Sequence, residues 1–160
     1  MTEFRVGTGF DLHRLEAGRR CVLGGVEIAH DRGPAGHSDG DALLHAIADA
    51  LLGAAGLDDL GTLFPESDPK WKGVASSTLL AEIASRVRTA GWSVVNVDAV
   101  LIAERPRLAP HRARIRESVA RLLAIPADRV NLKGKTAESL GPLGRGEALA
   151  ASAVALLARD

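Results

Sequence analysis

The segment 37–56, HSDGDALLHAIADALLGAAG, constrains the fold more strongly than any other part of the chain. It begins as a polar loop and continues as a long apolar run that still carries His45. The run predicts an α-helix over 41–55, and Gly56 suits the left-handed residue that commonly follows a helix. Ser38 precedes the run and is a candidate cap for the helix N-terminus. A core helix is therefore expected to begin at a loop rich in polar and titratable groups.

Alternating apolar residues predict the sheet. Phe4, Val6, Thr8 and Phe10 occupy every second position, which indicates a strand over 3–13. Further strands are predicted over 20–30, 92–104 and 129–135, and further helices over 76–90 and 110–125. On propensity alone, the alanine- and leucine-rich tail is expected to be a helix. The order of the elements favours an α/β or α+β sandwich with helices on one sheet face.

The composition excludes several classes of protein. Lys plus Arg and Asp plus Glu each number 20 among 160 residues, and this zero net charge argues against sequence-independent binding of nucleic acid. Cys21 is the single cysteine, which excludes an internal disulfide framework and suits a reducing compartment. The first residues lack the apolar core of a signal peptide, and the run 42–57 is too short to span a bilayer. We therefore expect one soluble, cytoplasmic domain over residues 1–160.

Two predicted elements carry candidate metal ligands. Asp11 and His13 are two residues apart on the first strand, so their side chains point to the same face. His45 lies one helical turn after Asp41, so both occupy one side of the helix. Asp11, His13 and His45 together form an Asp-His-His set that suits zinc and leaves a fourth position open, and Asp41 is expected to orient His45. An exposed ion pair at the strand end and a histidine satisfied within the core remain open as alternatives.

Two loops are candidate binding sites for anionic ligands. His37 and Ser38 precede the helix N-terminus, whose free N–H groups and dipole attract phosphate oxygens. Ser38 alternatively serves only as a cap. The Arg- and Pro-rich loop 105–111 follows a strand, where ligands often bind in such folds, although a plain surface connection explains it equally.

The Gly134-Lys135-Thr136 tripeptide resembles the end of a phosphate-binding P-loop. That motif requires a glycine five residues before Gly134, where this chain has Arg129, so a P-loop is excluded. Lys133, Lys135, Thr136 and Glu138 can still hold phosphates and a divalent cation. A solvated turn is the alternative interpretation.

Six sequence blocks run through nearly the whole chain: GTGFDLHRL (7–15), GGVEI (24–28), GHSDGDALLHAIADALLGAAGL (36–57), DLGTLFPESDPKWKG (59–73), NVDAVLIAERPRLAPH (96–111) and GRGEA (144–148). Together they resemble the 2-C-methyl-D-erythritol 2,4-cyclodiphosphate synthase family of the non-mevalonate isoprenoid pathway. The resemblance implies conversion of 4-diphosphocytidyl-2-C-methyl-D-erythritol 2-phosphate into the cyclic diphosphate with release of CMP. It also implies a two-layer α+β sandwich with a mixed β-sheet, assembled as a homotrimer with active sites between subunits. The tail, over 146–157, is then a strand.

The same resemblance implies the roles of individual residues. Zinc would be held by Asp11, His13 and His45, and a second ion, magnesium or manganese, by Glu138. The substrate-binding residues would be His37, Ser38, Asp59, Gly61, Phe64, Glu66, Ser67 and Asp68. The nucleotide-binding residues would be Ala103, Pro106, Arg107, Leu108, Ala109, Gly134, Lys135 and Thr136. His37 and Thr136 would stabilise the transition state, and Arg145 would bind phosphate or lie at the trimer axis.

Three stretches depart from the family pattern, the mildest being FPESD (64–68) in place of the common FPDTD. Residues 134–137 read GKTA, where the family often has ATTT, so Lys135 is new beside the nucleotide. Pro142 stands where many members carry an aromatic residue in the threefold cavity. Two other functions are compatible with the residues. One is a zinc-dependent phosphoesterase, and the other is a trimeric binding protein without activity.

Overall fold

The computed structural model describes residues 1–65 and 67–160, so Glu66, an expected substrate-binding residue, lies outside the described residues. The strands are β1 (Glu3–Ala17), β2 (Cys21–Leu23), β3 (Val26–Ile28), β4 (Arg32–Pro34), β5 (Ser93–Ile102), β6 (Val130–Lys135) and β7 (Ala148–Arg159). The helices are α1 (Ala42–Ala55), α2 (Leu60–Leu63), α3 (Ser76–Thr89), α4 (Arg112–Leu123) and α5 (Gly141–Gly144). Short 3₁₀ turns cover Pro69–Trp71, Ala109–His111 and Ala127–Arg129.

The main sheet is mixed, which confirms the expected α+β fold. Its strand order is β4-β1-β7-β5-β6, with β7 antiparallel to both neighbours and β5 parallel to β6. β2 and β3 form a separate hairpin. The tail is a strand between β1 and β5, so the helix that propensity favoured does not form. Pairing with β1 on one side and β5 on the other, together with the burial of alternate residues, outweighs the propensity of this segment for helix.

Helix α1 lies against β1 at Gly7 and Gly9. A Cβ atom at Gly9 would lie 1.9 Å from the carbonyl oxygen of Ala46, a separation that no real Cβ atom adopts. The glycines therefore permit a close approach between helix and strand. Alternation along β1 places the next residues of this face, Asp11 and His13, beyond the glycines and beside the first turn of α1.

Asp41, and not Ser38, caps the N-terminus of α1. Its buried carboxylate accepts hydrogen bonds from the backbone N–H groups of Leu44 at 3.1 Å, Gly24 at 2.9 Å and Gly25 at 2.7 Å. Burial raises the pKa of Asp41 to about 6, although these three N–H groups oppose the rise. The predicted C-terminus is confirmed, since Gly56 adopts a left-handed conformation with φ 72°.

The remaining helices complete the core. α3 packs against α1 and α4, and α4 packs against β6 and β3. The side chains that α3 buries most fully are Leu80, Ile83, Ala84 and Val87. Within residues 1–65 and 67–160, no helix combines the length and the apolar character that crossing a membrane requires.

The second face of β1 is apolar and uncovered in the single chain. Phe4 is 60%, Val6 65%, Phe10 62% and Leu12 53% exposed. Val154 of β7, opposite Thr8, extends this surface and is 42% exposed. We call these five apolar residues the apolar sheet face. A contiguous apolar surface of this kind usually marks an interface.

Candidate active site

Side chains from β1 and α1 converge on one point. Oδ2 of Asp11 lies 2.8 Å from Nε2 of His13 and 3.0 Å from Nδ1 of His45. The two imidazole nitrogens are 3.3 Å apart. One ligand atom from each of the three half-buried residues lies within 4.8 Å of the others, as a shared metal ion requires. We call these residues the Asp-His-His cluster.

The outer nitrogen of each histidine has its own partner. Nδ1 of His13 contacts the carbonyl oxygen of Ala35, which can only accept, so Nδ1 carries a proton and Nε2 is the nitrogen available to a metal ion. Nε2 of His45 lies 2.8 Å from the hydroxyl of Ser76. A hydrogen bond to the nitrogen that faces away from the cluster therefore fixes the orientation of each ring, as is usual for histidines that bind metals. The donor set of the cluster fits a divalent ion such as zinc.

The charges of the cluster are coupled. Burial raises the pKa of Asp11, but hydrogen bonds from His13 and His45 outweigh it and hold the pKa well below its usual range. The hydrogen bond to Asp11 raises the pKa of His13, against the opposing effect of burial. Asp11 is thus ionised at neutral pH, and a proton on His13 competes with a metal ion for the site.

Asp41 does not orient His45, contrary to the expectation from the helical spacing. Its carboxylate is used by backbone N–H groups of the β2–β3 turn and of α1. Ser76, which the sequence pattern did not indicate as a site residue, contacts His45 instead. The residue at the cap position is Ala75, which has no side chain that can cap, so the Ser76 hydroxyl is available to the cluster.

A cavity of about 280 Å³ adjoins the cluster. Four of the predicted substrate-binding residues line it: His37, Ser38, Gly61 and Phe64. Among the described residues, Asp59, Ser67 and Asp68 lie outside this lining. Asp59 caps α2 through the N–H of Thr62 at 2.8 Å, and Asp68 accepts from the N–H of Lys70 at 3.0 Å. Lining residues that the sequence did not single out include Asp49, Trp71 and Lys72.

A larger cavity, of about 480 Å³, lies at the ends of β5 and β6. It brings together every residue that we predicted for nucleotide binding: Ala103, Pro106, Arg107, Leu108, Ala109, Gly134, Lys135 and Thr136. Glu104 and Arg105, from the same predicted loop, also line it, as does Arg112 at the start of α4. Its four cationic side chains suit a ligand with phosphate groups.

The turn beside this larger cavity is held by Glu104. Its carboxylate accepts hydrogen bonds from the N–H groups of Ala137 at 2.9 Å and Ser139 at 3.2 Å. Glu138 and Ser139 have positive φ angles of 52° and 61°, and such strained backbone commonly occurs at functional sites. The Thr136 hydroxyl donates to Glu138 at 2.9 Å, so these two candidate residues lie together.

Arg145 lies apart from both cavities. Its guanidinium forms an exposed ion pair with Glu147, at 2.7 Å. Within the described part of the chain it lines neither the cavity beside the cluster nor the larger one.

Comparison with known proteins identifies the family. The model of the YgbB family matches residues 4–158. The chain belongs to the YgbB family. Two similar proteins are the 2-C-methyl-D-erythritol 2,4-cyclodiphosphate synthases of Chromobacterium violaceum and Synechococcus elongatus. The first is 57% identical over 98% of this chain and 99% of that protein, and the second is 49% identical over the full length of both.

A solved structure supports the same relation. The CDP-bound form of a 2-C-methyl-D-erythritol 2,4-cyclodiphosphate synthase superposes with a TM-score of 0.89 at 44% sequence identity. The match covers 96% of this chain and 99% of that one. The family resemblance inferred from the six sequence blocks is therefore confirmed.

Proposed function

We infer that this chain is a cyclodiphosphate synthase, a lyase of the isoprenoid precursor pathway. It converts 4-diphosphocytidyl-2-C-methyl-D-erythritol 2-phosphate into 2-C-methyl-D-erythritol 2,4-cyclodiphosphate and CMP. The observation that carries this conclusion is the sequence identity of 57% and 49% to two synthases of this product, over 98% and 100% of the chain. The fold agrees, because it has a candidate metal centre beside one cavity and a cationic second cavity.

We propose that Asp11, His13 and His45 hold zinc. Two nitrogen ligands and one carboxylate suit this ion, and the outer nitrogen of each histidine has a hydrogen-bond partner. When bound, zinc supplies positive charge that polarises a phosphate group. Asp11 remains ionised at neutral pH and can therefore bind the ion as a carboxylate ligand.

The reaction is an internal phosphoryl transfer. An oxygen of the 2-phosphate attacks the β-phosphorus of the diphosphate, the new P–O bond closes the ring, and the bond to the oxygen of CMP breaks. A phosphate monoester oxygen is already anionic near neutral pH, so no general base is required. The task of the protein is to position two mutually repelling phosphate groups and to stabilise their charge. We propose that His37 and Ser38 hold the phosphate near the cluster, and that His37 and Thr136 stabilise the transition state.

The larger cavity is proposed to bind the cytidine diphosphate part of the substrate. Its arginine and lysine side chains match phosphate oxygens. Glu138 is proposed to hold a second divalent ion, magnesium or manganese, which neutralises charge on the diphosphate. Glu104 supports this role because it fixes the turn on which Glu138 lies.

We propose that the active enzyme is a homotrimer in the cytoplasm. Among the described residues, the two cavities have no lining residue in common, yet the substrate must occupy both. A neighbouring subunit seated on the apolar sheet face would bring its own larger cavity to the cluster of the first. Arg145, which is exposed and paired with Glu147, is proposed to bind phosphate or to lie at the trimer axis. The reduced, buried Cys21 suits the cytoplasm.

The decisive experiment incubates the protein with its cytidyl substrate and magnesium and follows the products by phosphorus NMR. We expect CMP and the cyclic diphosphate from the wild type, and neither from His45→Ala, which should also lose its zinc. His30→Ala is a matched control at a half-buried histidine outside the cluster, and should keep both. Full activity of His45→Ala without bound metal would exclude the proposed role of zinc.

A zinc-dependent phosphoesterase is the second candidate, because three protein ligands leave a coordination position that water can occupy. Such an enzyme would release a linear product that contains an oxygen atom from the solvent. Incubation in water labelled with heavy oxygen separates the two functions, since the cyclisation incorporates none.

A further inference from the structure

Ser76 joins the candidate metal centre to a carboxylate on a separate segment of the chain. Its hydroxyl lies 2.8 Å from Nε2 of His45 and also contacts Oδ1 of Asp39. The N–H of Ser76 donates to Oδ2 of the same carboxylate at 3.2 Å. Ser76 is 1% exposed, so this arrangement is shielded from water. Its three members come from α1, from the first residue of α3 and from the loop before α1.

The protons of this arrangement have one consistent order when His45 binds a metal. Nδ1 of His45 faces Asp11 and must present a lone pair to the ion, so Nε2 carries the proton. That proton is donated to the Ser76 hydroxyl, whose own hydrogen is then donated to Asp39. The reverse order would place the proton on Nδ1, where it blocks the metal, and would leave Asp39 facing a hydroxyl lone pair.

A competing partner for His45 is weaker. The Ser38 hydroxyl lies 3.5 Å from Nε2 of His45, compared with 2.8 Å for Ser76, and already accepts the N–H of Gly40 at 3.1 Å. Nor is the Ser76 hydroxyl needed as a helix cap, because the cap position of α3 is Ala75.

We propose that Ser76, supported by Asp39, is a positioning residue that fixes the tautomer and ring orientation of His45 and thereby sets the affinity of the cluster for its metal. The inference rests on the proposed function, since it assumes a metal at the cluster. Ser76 and Asp39 would orient the ring of His45 in the same way that the carbonyl oxygen of Ala35 orients the ring of His13. Partners of this kind behind a metal-bound histidine typically contribute about 10- to 100-fold in metal affinity.

The test measures zinc affinity by competition with a chromophoric chelator, starting from metal-free protein. Ser76→Ala removes only the hydroxyl and suits the first turn of a helix, so the fold should be retained. We expect its Kd for zinc to rise by about 10- to 100-fold, with activity restored at saturating zinc. Ser77→Ala is the matched control, because Ser77 is the next residue of α3 and makes no side-chain hydrogen bond within residues 1–65 and 67–160. Its Kd should equal that of the wild type.

A second measurement does not depend on activity. In zinc-loaded wild type the Nε2 proton of His45 should be visible by NMR and exchange slowly with water, and in Ser76→Ala it should exchange fast. A Kd for zinc in Ser76→Ala equal to that of Ser77→Ala overturns the inference. This holds even if the melting temperature of Ser76→Ala falls, because lower stability with unchanged zinc affinity would mean that Ser76 supports only the fold. A wild type that binds no more zinc than His45→Ala would instead overturn the proposed metal role itself, so the two failures are distinguishable.

Discussion

The two faces of β1 are built from different kinds of residue. On the face toward α1, glycines bring helix and strand together, and the next two residues of that face are Asp11 and His13. On the opposite face are the large side chains of the apolar sheet face, more than half exposed along β1. The buried face of this strand is thus the one with the smallest side chains. Its large apolar side chains mark a surface suited to another subunit.

The difference shows what strand alternation can and cannot predict. Phe4, Val6 and Phe10 correctly indicated a strand, since period 2 depends only on backbone geometry. Which face becomes the core depends on what packs there, and α1 is rich in alanine and fits against glycine. The hydrophobic pattern of one strand does not indicate which other element packs against each of its faces.

The largest expected effect is a loss of stability on the face of β1 that contacts α1 at Gly7 and Gly9. Gly9→Val would place a side chain where even a Cβ atom lies 1.9 Å from the backbone oxygen of Ala46, so α1 must move away. We expect the free energy of unfolding to fall by about 3 kcal/mol, measured by urea denaturation. Gly53→Ala is the control within α1, because its new Cβ would meet only the Thr8 oxygen, at 4.0 Å. That change should raise stability by about 0.5–1 kcal/mol. Equal effects of the two substitutions would contradict the close packing.

The next effect concerns the opposite face. Phe10→Glu places a charge at the centre of the apolar sheet face, where a neighbouring subunit is proposed to pack. We expect folded protomers that sediment as monomers and release little CMP, because each active site is proposed to lie between two subunits. Ser85→Glu, at an exposed position of α3, adds the same charge elsewhere and should remain a trimer. A Phe10→Glu protein with wild-type mass and activity would disprove the proposed role of this face.

The smallest effect is on pH dependence at the Asp-His-His cluster. The pKa of His13 is raised above its usual value, chiefly by the hydrogen bond to Asp11. In metal-free protein the stabilisation from protonated His13 is complete below the unfolded pKa of about 6.5 and is lost as pH rises through the folded pKa. Zinc affinity should change in the opposite direction, rising by up to about tenfold per pH unit in that window as a proton is displaced.

The pH dependence of stability is measured by thermal unfolding without metal, and the pH dependence of zinc affinity by chelator competition on the same samples. His30→Ala should leave the pH dependence of both stability and zinc affinity unchanged. A zinc affinity that is independent of pH across this window would mean that His13 binds no proton that the metal must displace.

The sequence was most informative where function depends on neighbours along one element or on a family-specific block. Asp11 and His13 lie on one face because they are two residues apart, and the loops of the larger cavity follow from the blocks around 103–109 and 134–138. The tail shows the opposite case. Its alanine and leucine content favours a helix, and only pairing with two other strands makes it β7.

Ser76 was missed and the role of Asp41 was wrong for a common reason. The N–H groups that occupy the carboxylate of Asp41 come from Gly24 and Gly25, which are distant in sequence. The hydroxyl of Ser76 reaches His45 only because α3 packs against α1. Contacts of this kind depend on how elements are arranged in space, and no local spacing encodes them.

The Asp-His-His cluster draws its ligands from the first strand and from the first long helix, which are separate in the unfolded chain. An ion held there acts as a cross-link that only the folded protein can form. At a free concentration 100 times its Kd, such an ion adds about 2.7 kcal/mol to the free energy of unfolding. The metal supply of the cell would then govern how long each molecule survives proteolysis as well as how fast it works.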